Sequence, residues 1–287
     1  MSDIAKILID TDIGGDIDDA LTLAMALNSP EVEIRGITSV YIAGEWRVGI
    51  IRRMLETYGR NDIEVAIGAE KPLCGWWDDK RQLSSHLDVE GTVNMPACDY
   101  IIKKVNEEKD LTLLAIGPLT NIALAIAKDP DLPRKTRLVL MGGQVNRAHP
   151  EWNIACDPEA ARIVFESGIP IRMIGLDVTN RCKFDFSHID RIRAGGNKRT
   201  DLLSEMLDKF MKDFNFMPTL HDPLALASIV WPELLTFEEK TILIETRGEF
   251  TRGVTVDCDW KHEPNAQVAV DVRKDEFIER VLARLVL

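Results

Sequence analysis

The chain lacks a long apolar run, a leader-like start and any excess of basic residues. No hydrophobic stretch approaches the ~18 residues that a transmembrane helix needs. The formal charge of −12 at pH 7 argues against nucleic acid or an anionic membrane surface as a partner. The first residues, Met1-Ser2-Asp3-Ile4, lack the basic and apolar regions of a signal peptide. We therefore expect a cytoplasmic protein with neither a membrane nor a nucleic-acid partner.

Cysteine is also scarce, and the chain has no linker, repeat or low-complexity tract. An odd number of cysteines without a CxxC pair is typical of reduced, structural thiols rather than a disulfide framework. Hydrophobic residues make up 45% of the sequence, enough for one large core. We expect a single domain over residues 1–287. The cysteines are Cys74, Cys98, Cys156, Cys182 and Cys258.

Acidic residues, in contrast, are concentrated near the start of the chain. Residues 10–19 contain five aspartates, between an apolar strand-like run (residues 7–9) and an apolar helix-like run (residues 20–27). Carboxylates this close raise one another's pKa unless a cation intervenes, and an all-oxygen ligand set suits Ca²⁺ or Mg²⁺. The alternative is a Gly14-Gly15 turn with solvated aspartates. In either case Asp18 or Asp19 is expected to be the N-cap of the helix.

Apolar strand-like and amphipathic helical segments alternate along the chain. This order predicts an α/β fold with a single, mainly parallel, Rossmann-like sheet, helices on both faces and the active site at the carboxyl ends of the strands. Residues 183–218 depart from the pattern and are interpreted as a mobile flap over the site. Strands are expected near residues 32–40, 63–67, 111–116, 138–141, 171–176, 241–244 and 268–272, and helices near 46–58, 96–107, 119–127 and 275–285.

Several polar residues follow the predicted strands and could meet in one crevice. His221 and Asp222 are read either as a proton donor beside a metal ligand or as a helix start, with Asp222 capping and Pro223 in the first turn. Glu151 and Asn153, if extended, point the same way and could bind neighbouring hydroxyls of a sugar, or they belong to an ordinary polar loop. Other aromatic residues could stack on a flat ring or belong to the core: Trp76, Trp77, Phe210, Phe214 and Phe216. His86, in a polar loop, could contact the same ring or face the solvent.

Taken together, these segments resemble the inosine-uridine-preferring nucleoside hydrolase family over nearly the whole chain. The combination of the aspartate motif, the His-Asp-Pro segment and the Gly-Pro-Leu-Thr-Asn segment is specific. The resemblance is carried by Asp10-Thr11-Asp12, Asp18-Asp19-Ala20-Leu21, Ala115-Ile116-Gly117-Pro118-Leu119-Thr120-Asn121, Met141-Gly142-Gly143, Glu151-Trp152-Asn153, Asp157-Pro158-Glu159-Ala160-Ala161, Gly175-Leu176-Asp177-Val178-Thr179, His221-Asp222-Pro223 and Pro264-Asn265-Ala266.

The resemblance implies a Ca²⁺-dependent enzyme that hydrolyses the N-glycosidic bond of ribonucleosides to ribose and free base. It implies Ca²⁺ ligation by the carboxylates of Asp12, Asp19 and Asp222 and by the main-chain carbonyl of Ile116. Asp12 would also be the general base, and His221 would be the acid at the leaving group. The ribose hydroxyls would be held by Asp18, Asn146, Glu151 and Asn153. We also expect a homo-oligomer, either a dimer or a tetramer.

The sequence departs from the family pattern in three places. Two extra residues in the aspartate motif make Asp16 a second candidate for the role of Asp18. Residues 40–45 contain no asparagine after the second strand, and the loop motif is altered to His86-Leu87-Asp88. Two other functions therefore stay open: a metal-dependent nucleoside or sugar binder without turnover, and a Mg²⁺ phosphohydrolase suggested by the Asp10-x-Asp12 pair.

Overall fold

A computed structural model describes residues 4–75, 92–258 and 263–287. Its described residues form one eight-stranded sheet in the order β3-β2-β1-β4-β5-β6-β10-β7, and a separate two-stranded sheet, β8-β9. The strands are β1 (Ala5–Thr11), β2 (Val32–Ser39), β3 (Val65–Ala66), β4 (Thr112–Ala115), β5 (Arg137–Met141), β6 (Ile171–Ile174), β7 (Leu235–Lys240), β8 (Ile242–Ile244), β9 (Thr255–Asp257) and β10 (Ala266–Val272).

Helices cover both faces of the large sheet, so the predicted α/β architecture is confirmed. They are α1 (Asp18–Leu27), α2 (Gly44–Tyr58), α3 (Ala97–Glu107), α4 (Thr120–Lys128), α5 (Trp152–Cys156), α6 (Pro158–Glu166), α7 (Leu176–Thr179), α8 (Phe186–Arg193), α9 (Lys198–Phe214), α10 (His221–Val230) and α11 (Lys274–Leu285). Across the described ranges, none of these helices combines the length and apolarity needed to span a bilayer. Trp76, Trp77 and His86 lie outside the described residues.

Two apolar cores enclose the sheet, one on each face. The larger contains buried residues of α1, α2, α9, α10 and α11, and the smaller contains buried residues of α3, α4 and α6. The central strand β1 is buried from Ile7 onward and pairs in parallel with both β2 and β4. Burial on both faces explains why its apolar residues form a continuous run rather than alternating with polar ones.

The sheet brings the ends of neighbouring strands to one edge. Asp10 lies opposite Thr38 of β2 and opposite Ala115 of β4. The polar residues that follow β1, β2 and β4 in the sequence therefore lie beside one another, as expected of parallel strands.

The outer strand β7 was not predicted from the sequence. It pairs antiparallel with β10, whereas every other pair in the large sheet is parallel. Its sequence, Leu-Thr-Phe-Glu-Glu-Lys, has only two apolar residues among four polar ones. An edge strand exposed on one side does not need the apolar run that identifies a buried strand.

Residues 183–218 contain α8 and α9. Leu203 and Leu207 of α9 are fully buried in the larger core, and α9 packs against α2. Arg53 of α2 forms an ion pair with Glu205 of α9, with the closest atoms 2.6 Å apart. The apolar face of α9 is thus part of the main core, and the mobility of this segment stays a prediction.

Arg47 of α2 is a buried cation that joins two loops at the strand ends. Its Nε donates to the Ile42 carbonyl at 2.8 Å, and its Nη1 donates to the Ile13 carbonyl at 2.7 Å. Its guanidinium lies 5.2 Å from the centroid of the Tyr41 ring. Tyr41 and Ala43 adopt positive φ values of 73° and 62°, so this turn holds a strained backbone.

We expect Arg47→Met to lower the free energy of unfolding by about 2–4 kcal/mol, because two charge-assisted hydrogen bonds are lost and two carbonyls are left unpaired. The control is Arg53→Met on the same helix, whose exposed ion pair contributes at most about 1 kcal/mol. Urea unfolding followed by circular dichroism measures both variants. Equal destabilisation by the two substitutions would contradict the role assigned to Arg47.

Candidate active site

Three buried carboxylates meet where α1 and α10 begin. Oxygens of Asp18, Asp19 and Asp222 all lie within 4.8 Å of one another. The two helices pack against each other, and the Asp222 amide donates to Oδ2 of Asp18 at 3.2 Å. The positive ends of both helix dipoles therefore lie at the cluster and partly offset its charge. We call these three residues the acidic cluster.

The expectation that these aspartates cap their helices is wrong. The N-cap of α1 is Ile17, the N-cap of α10 is Leu220, and neither makes a side-chain capping hydrogen bond. By contrast, Asp157 caps α6 by accepting from the Ala160 amide. The carboxylates of the acidic cluster therefore lie inside the first turns of α1 and α10 and do not cap the N-termini of these helices.

The acidic cluster is electrostatically unfavourable without a cation. Burial is the main reason that the pKa values of Asp18, Asp19 and Asp222 stand well above the usual range. Repulsion among neighbouring aspartates, including Asp12 and Asp16, raises them further. Hydrogen bonds and positive charge act in the opposite direction: Asp19 accepts from the Thr11 hydroxyl and is near the charge of Arg47.

The structure also brings Asp12 and Ile116 to this edge of the sheet. Asp12 contributes repulsion to each member of the acidic cluster, so it lies within electrostatic reach of all three. A Cβ on Gly117 would lie only 2.9 Å from Oδ1 of Asp12, so glycine permits the close approach of the two strand ends. The Ile116 carbonyl accepts from Nδ2 of Asn153 at 3.3 Å.

Asp16 is near the cluster as well. Its Oδ1 accepts from the Ile17 amide at 2.6 Å, and burial raises its pKa. It is the strongest source of repulsion on Asp18. Asp16 and Asp18, the two candidates for holding a ribose hydroxyl, therefore lie next to each other.

Glu151 and Asn153 are brought together, but not as an extended pair. Glu151 is the N-cap of α5, and its carboxylate accepts from the amides of Gly143, Asn153 and Ile154 at 2.9, 2.9 and 3.1 Å. The premise of an extended segment is wrong because Asn153 already lies in this short helix. Its Nδ2 donates to the Met141 carbonyl at 3.1 Å. Both side chains are buried and fixed against the ends of β4 and β5.

Asn146 lies on an exposed loop that Asp177 holds in place. The Asp177 carboxylate accepts from the amide of Val145 at 2.9 Å and from the amide of Asn146 at 3.0 Å. The loop backbone is thereby attached to α7. The Asn146 side chain is exposed, and its contact with a substrate stays a prediction.

His221 is the first residue of α10 and lies directly before Asp222. Its Nδ1 is 2.7 Å from the Thr179 hydroxyl. Burial lowers the pKa of His221 to about 4, and the positive charge of Lys183 acts in the same direction. The imidazole is therefore neutral at pH 7, with one ring nitrogen protonated.

Sequence reasoning gave no role to a second polar network, which is centred on Asp10 in β1. Oδ1 of the buried Asp10 accepts from Thr38 at 2.5 Å and from Asn121 at 2.8 Å. Its other oxygen has no partner among the described residues, and burial raises the pKa of Asp10 to about 7. Asn121 also donates to the Ser39 carbonyl. The position of Asp10 and Thr38 at strand ends was the available signal.

Three aromatic residues of the predicted flap contact one another. The rings of Phe210, Phe214 and Phe216 have centroids 5.1–5.8 Å apart. Phe210 is buried and Phe216 is half exposed. Their contact with a nucleobase stays a prediction.

Comparisons with known proteins agree with this architecture. Residues 7–279 match the family described as inosine-uridine preferring nucleoside hydrolase. The pyrimidine-specific ribonucleoside hydrolase RihA of Citrobacter koseri is 37% identical over an alignment of 309 positions, gaps included, which covers 97% of each chain. RihA of Salmonella enteritidis is 38% identical over 314, again covering 97% of each.

Solved structures of similar proteins share the fold. A plant nucleoside hydrolase, PpNRh1, superposes with a TM-score of 0.88 at 28% identity, covering 98% of this chain and 99% of its own. A purine-preferring ribonucleoside hydrolase from Gardnerella vaginalis gives 0.86 at 29% identity, covering 98% of both chains. The family match spans nearly the whole chain, including every residue that forms the site. The chain therefore belongs to the inosine-uridine preferring nucleoside hydrolase family and is a nucleoside N-ribohydrolase.

Proposed function

We propose that the chain catalyses calcium-dependent hydrolysis of the N-glycosidic bond of ribonucleosides, giving ribose and free base. The observation that carries the calcium dependence is the buried, all-oxygen acidic cluster at the strand ends. We further propose pyrimidine ribonucleosides as the preferred substrates, because the RihA relatives are named pyrimidine-specific. Cytoplasmic location and assembly into a dimer or tetramer stay predictions.

The residues at the cluster fit a hard divalent cation. Carboxylate and carbonyl oxygens are the ligands that Ca²⁺ takes in proteins, and the cluster offers neither thiolate nor imidazole ligands. In the proposed arrangement Asp12, Asp19, Asp222 and the Ile116 carbonyl hold the ion. Asp18, which shares the cluster geometrically, binds a ribose hydroxyl instead. When bound, Ca²⁺ would orient the attacking water and lower its pKa.

The remaining residues act on the sugar and the leaving base. The general base, Asp12, accepts the proton of the water whose oxygen bonds to the anomeric carbon. Asp18, Glu151 and Asn153 hold the ribose hydroxyls, with Asn146 contributing from its loop. Buried carboxylates near the sugar stabilise the oxocarbenium-like charge that develops as the glycosidic bond breaks. The nitrogen of the departing base takes the electron pair of the broken glycosidic bond. His221 stabilises this base by donating a hydrogen bond to it.

Two other functions are less well supported. A Mg²⁺ phosphohydrolase has no support from the family match or from the similar structures. A binder without turnover would keep the cation site and the ribose contacts, but the relatives are named as hydrolases, and the assay below distinguishes the two.

The function is tested by measuring ribose release from uridine, cytidine and inosine, with and without a chelator. We expect Asp222→Ala to lower Ca²⁺ affinity roughly 100-fold or more and turnover to a similar extent, because a buried ligand is lost. The matched control is Asp271→Ala, since Asp271 is an exposed aspartate paired with Arg181. Wild-type binding without ribose release would identify a binder, and retained Ca²⁺ in Asp222→Ala would contradict the ligand assignment.

His221→Gln should lower turnover of uridine by roughly 10²–10⁴-fold, the usual contribution of a positioned proton donor. Ca²⁺ affinity should stay unchanged. Hydrolysis of p-nitrophenyl riboside should change far less, because that leaving group departs without a donated proton. A loss of equal size on both substrates would exclude His221 as the donor to the base.

The stabilisation by Ca²⁺ should grow with pH. A buried carboxyl whose pKa is raised by folding stabilises the folded protein at low pH, and this contribution is lost as pH rises through the folded-state pKa. In EDTA, the melting temperature should therefore fall between pH 5 and pH 8, the range that contains the Asp10 value of about 7. Since Ca²⁺ binds the ionised carboxylates, its increment in Tm should be larger at pH 8 than at pH 5. Calorimetry measures the rise in Tm that Ca²⁺ causes at each pH. A rise at pH 8 that is equal to or smaller than the rise at pH 5 would contradict the assignment of these carboxylates as Ca²⁺ ligands.

A further inference from the structure

A single hydrogen bond attaches the ring of His221 to the turn of helix α7. The Thr179 hydroxyl lies 2.7 Å from Nδ1 of His221, across 42 residues of sequence. Thr179 is fully buried, whereas His221 is partly exposed. Nδ1 is thus occupied on the buried side of the ring. Nε2 has no partner in the part of the chain that the structure describes, and it is the nitrogen left for a ligand.

The direction of this hydrogen bond follows from the hydroxyl. A threonine hydroxyl carries one hydrogen, and the described residues offer it no acceptor other than Nδ1 of His221. If Nδ1 carried a hydrogen, the hydroxyl would have to accept, and its own hydrogen would be buried without a partner. Leaving a buried donor without an acceptor is unfavourable, because the hydrogen bond that it makes to water in the unfolded chain is not replaced. The hydroxyl therefore donates, and the ring hydrogen is on Nε2.

We propose that Thr179 is a positioning residue that holds His221 as the Nε2–H tautomer, so that the ring presents a donor rather than a lone pair toward the leaving base. This inference rests on the proposed function, because it is the departing base that requires a donor. Without the hydroxyl, the Nδ1–H tautomer becomes accessible. Its Nε2 lone pair would repel the electron pair that moves onto the base nitrogen.

Helix α7, which carries Thr179, is fixed to the ends of the strands by several contacts. The Leu176 amide donates to the Gly143 carbonyl at 2.8 Å. The Asp177 carboxylate accepts from two amides of the loop that follows Gly143. A Cβ on Gly175 would lie 2.7 Å from the Gly143 carbonyl oxygen, so only glycine allows α7 to start this close to the end of β5. The Thr179 amide donates back to Gly175 at 3.2 Å. The hydroxyl is therefore fixed relative to the strand ends.

The tautomer can be observed without any activity, by long-range ¹⁵N–¹H NMR of histidine-labelled protein at pH 7.5. His221→Gln identifies the signals of His221. We expect the wild type and Thr179→Ser to show a protonated Nε2 and an acceptor Nδ1, and Thr179→Val to show a substantial population protonated at Nδ1. A wild-type ring protonated at Nδ1, or an unchanged Thr179→Val spectrum, would overturn the proposal even if the enzyme is active.

Kinetics provide the second test. Thr179→Val should lower kcat on uridine about 10-fold or more, without exceeding the loss in His221→Gln, while KM and p-nitrophenyl riboside hydrolysis change little. Thr179→Ser keeps the hydroxyl and should retain most of the activity. An equal loss on both substrates, or a loss that Thr179→Ser does not recover, would indicate a structural role and overturn the proposal. If the wild type releases no ribose from any nucleoside, the proposed function fails, and the NMR result alone decides the role of Thr179.

Discussion

The arrangement of the strand ends depends on keeping three carboxylates close together inside the protein. Removing an ionised carboxylate from water is costly, and placing a second within a few ångströms adds repulsion. The fold counters this by directing two helix N-termini at the cluster, by the Thr11 hydroxyl and by the buried guanidinium of Arg47. Those groups offset only part of the charge. The proposed cation would supply the remainder, and it would then stabilise the folded state as well as take part in the chemistry.

Much of the fold follows from local sequence. The apolar run of β1, the periodic apolar residues of α1 and the Asp157-Pro158 start of α6 each indicate their element without reference to the rest of the chain. The order of such segments then indicates a parallel sheet, and that order places polar residues at one edge. β7 could not be predicted in this way, because its pairing with β10 places it at an exposed edge and its residues are mostly polar.

The candidate site was predictable where residue chemistry is unusual and unpredictable where it is ordinary. Five aspartates in ten residues, or a histidine before an aspartate, attract attention in any sequence. Arg47 and Thr179 do not, since an arginine in a polar helix and a threonine after a strand are common. Their importance arises from contacts with Ile13 and His221, at separations of 34 and 42 residues. The same applies to the N-caps, because only the folded structure shows that Ile17 and Leu220 are the N-caps of α1 and α10.

The contact between Asp18 and the Asp222 amide spans 204 residues, and this has a consequence for biosynthesis. Synthesis of a segment that long takes roughly 10–40 s at about 5–20 residues per second. During that time the N-terminal aspartates stay hydrated, because the helix that encloses them does not yet exist. A cation held in part by Asp222 would therefore gain its full set of ligands only late in synthesis, once α10 has docked against α1.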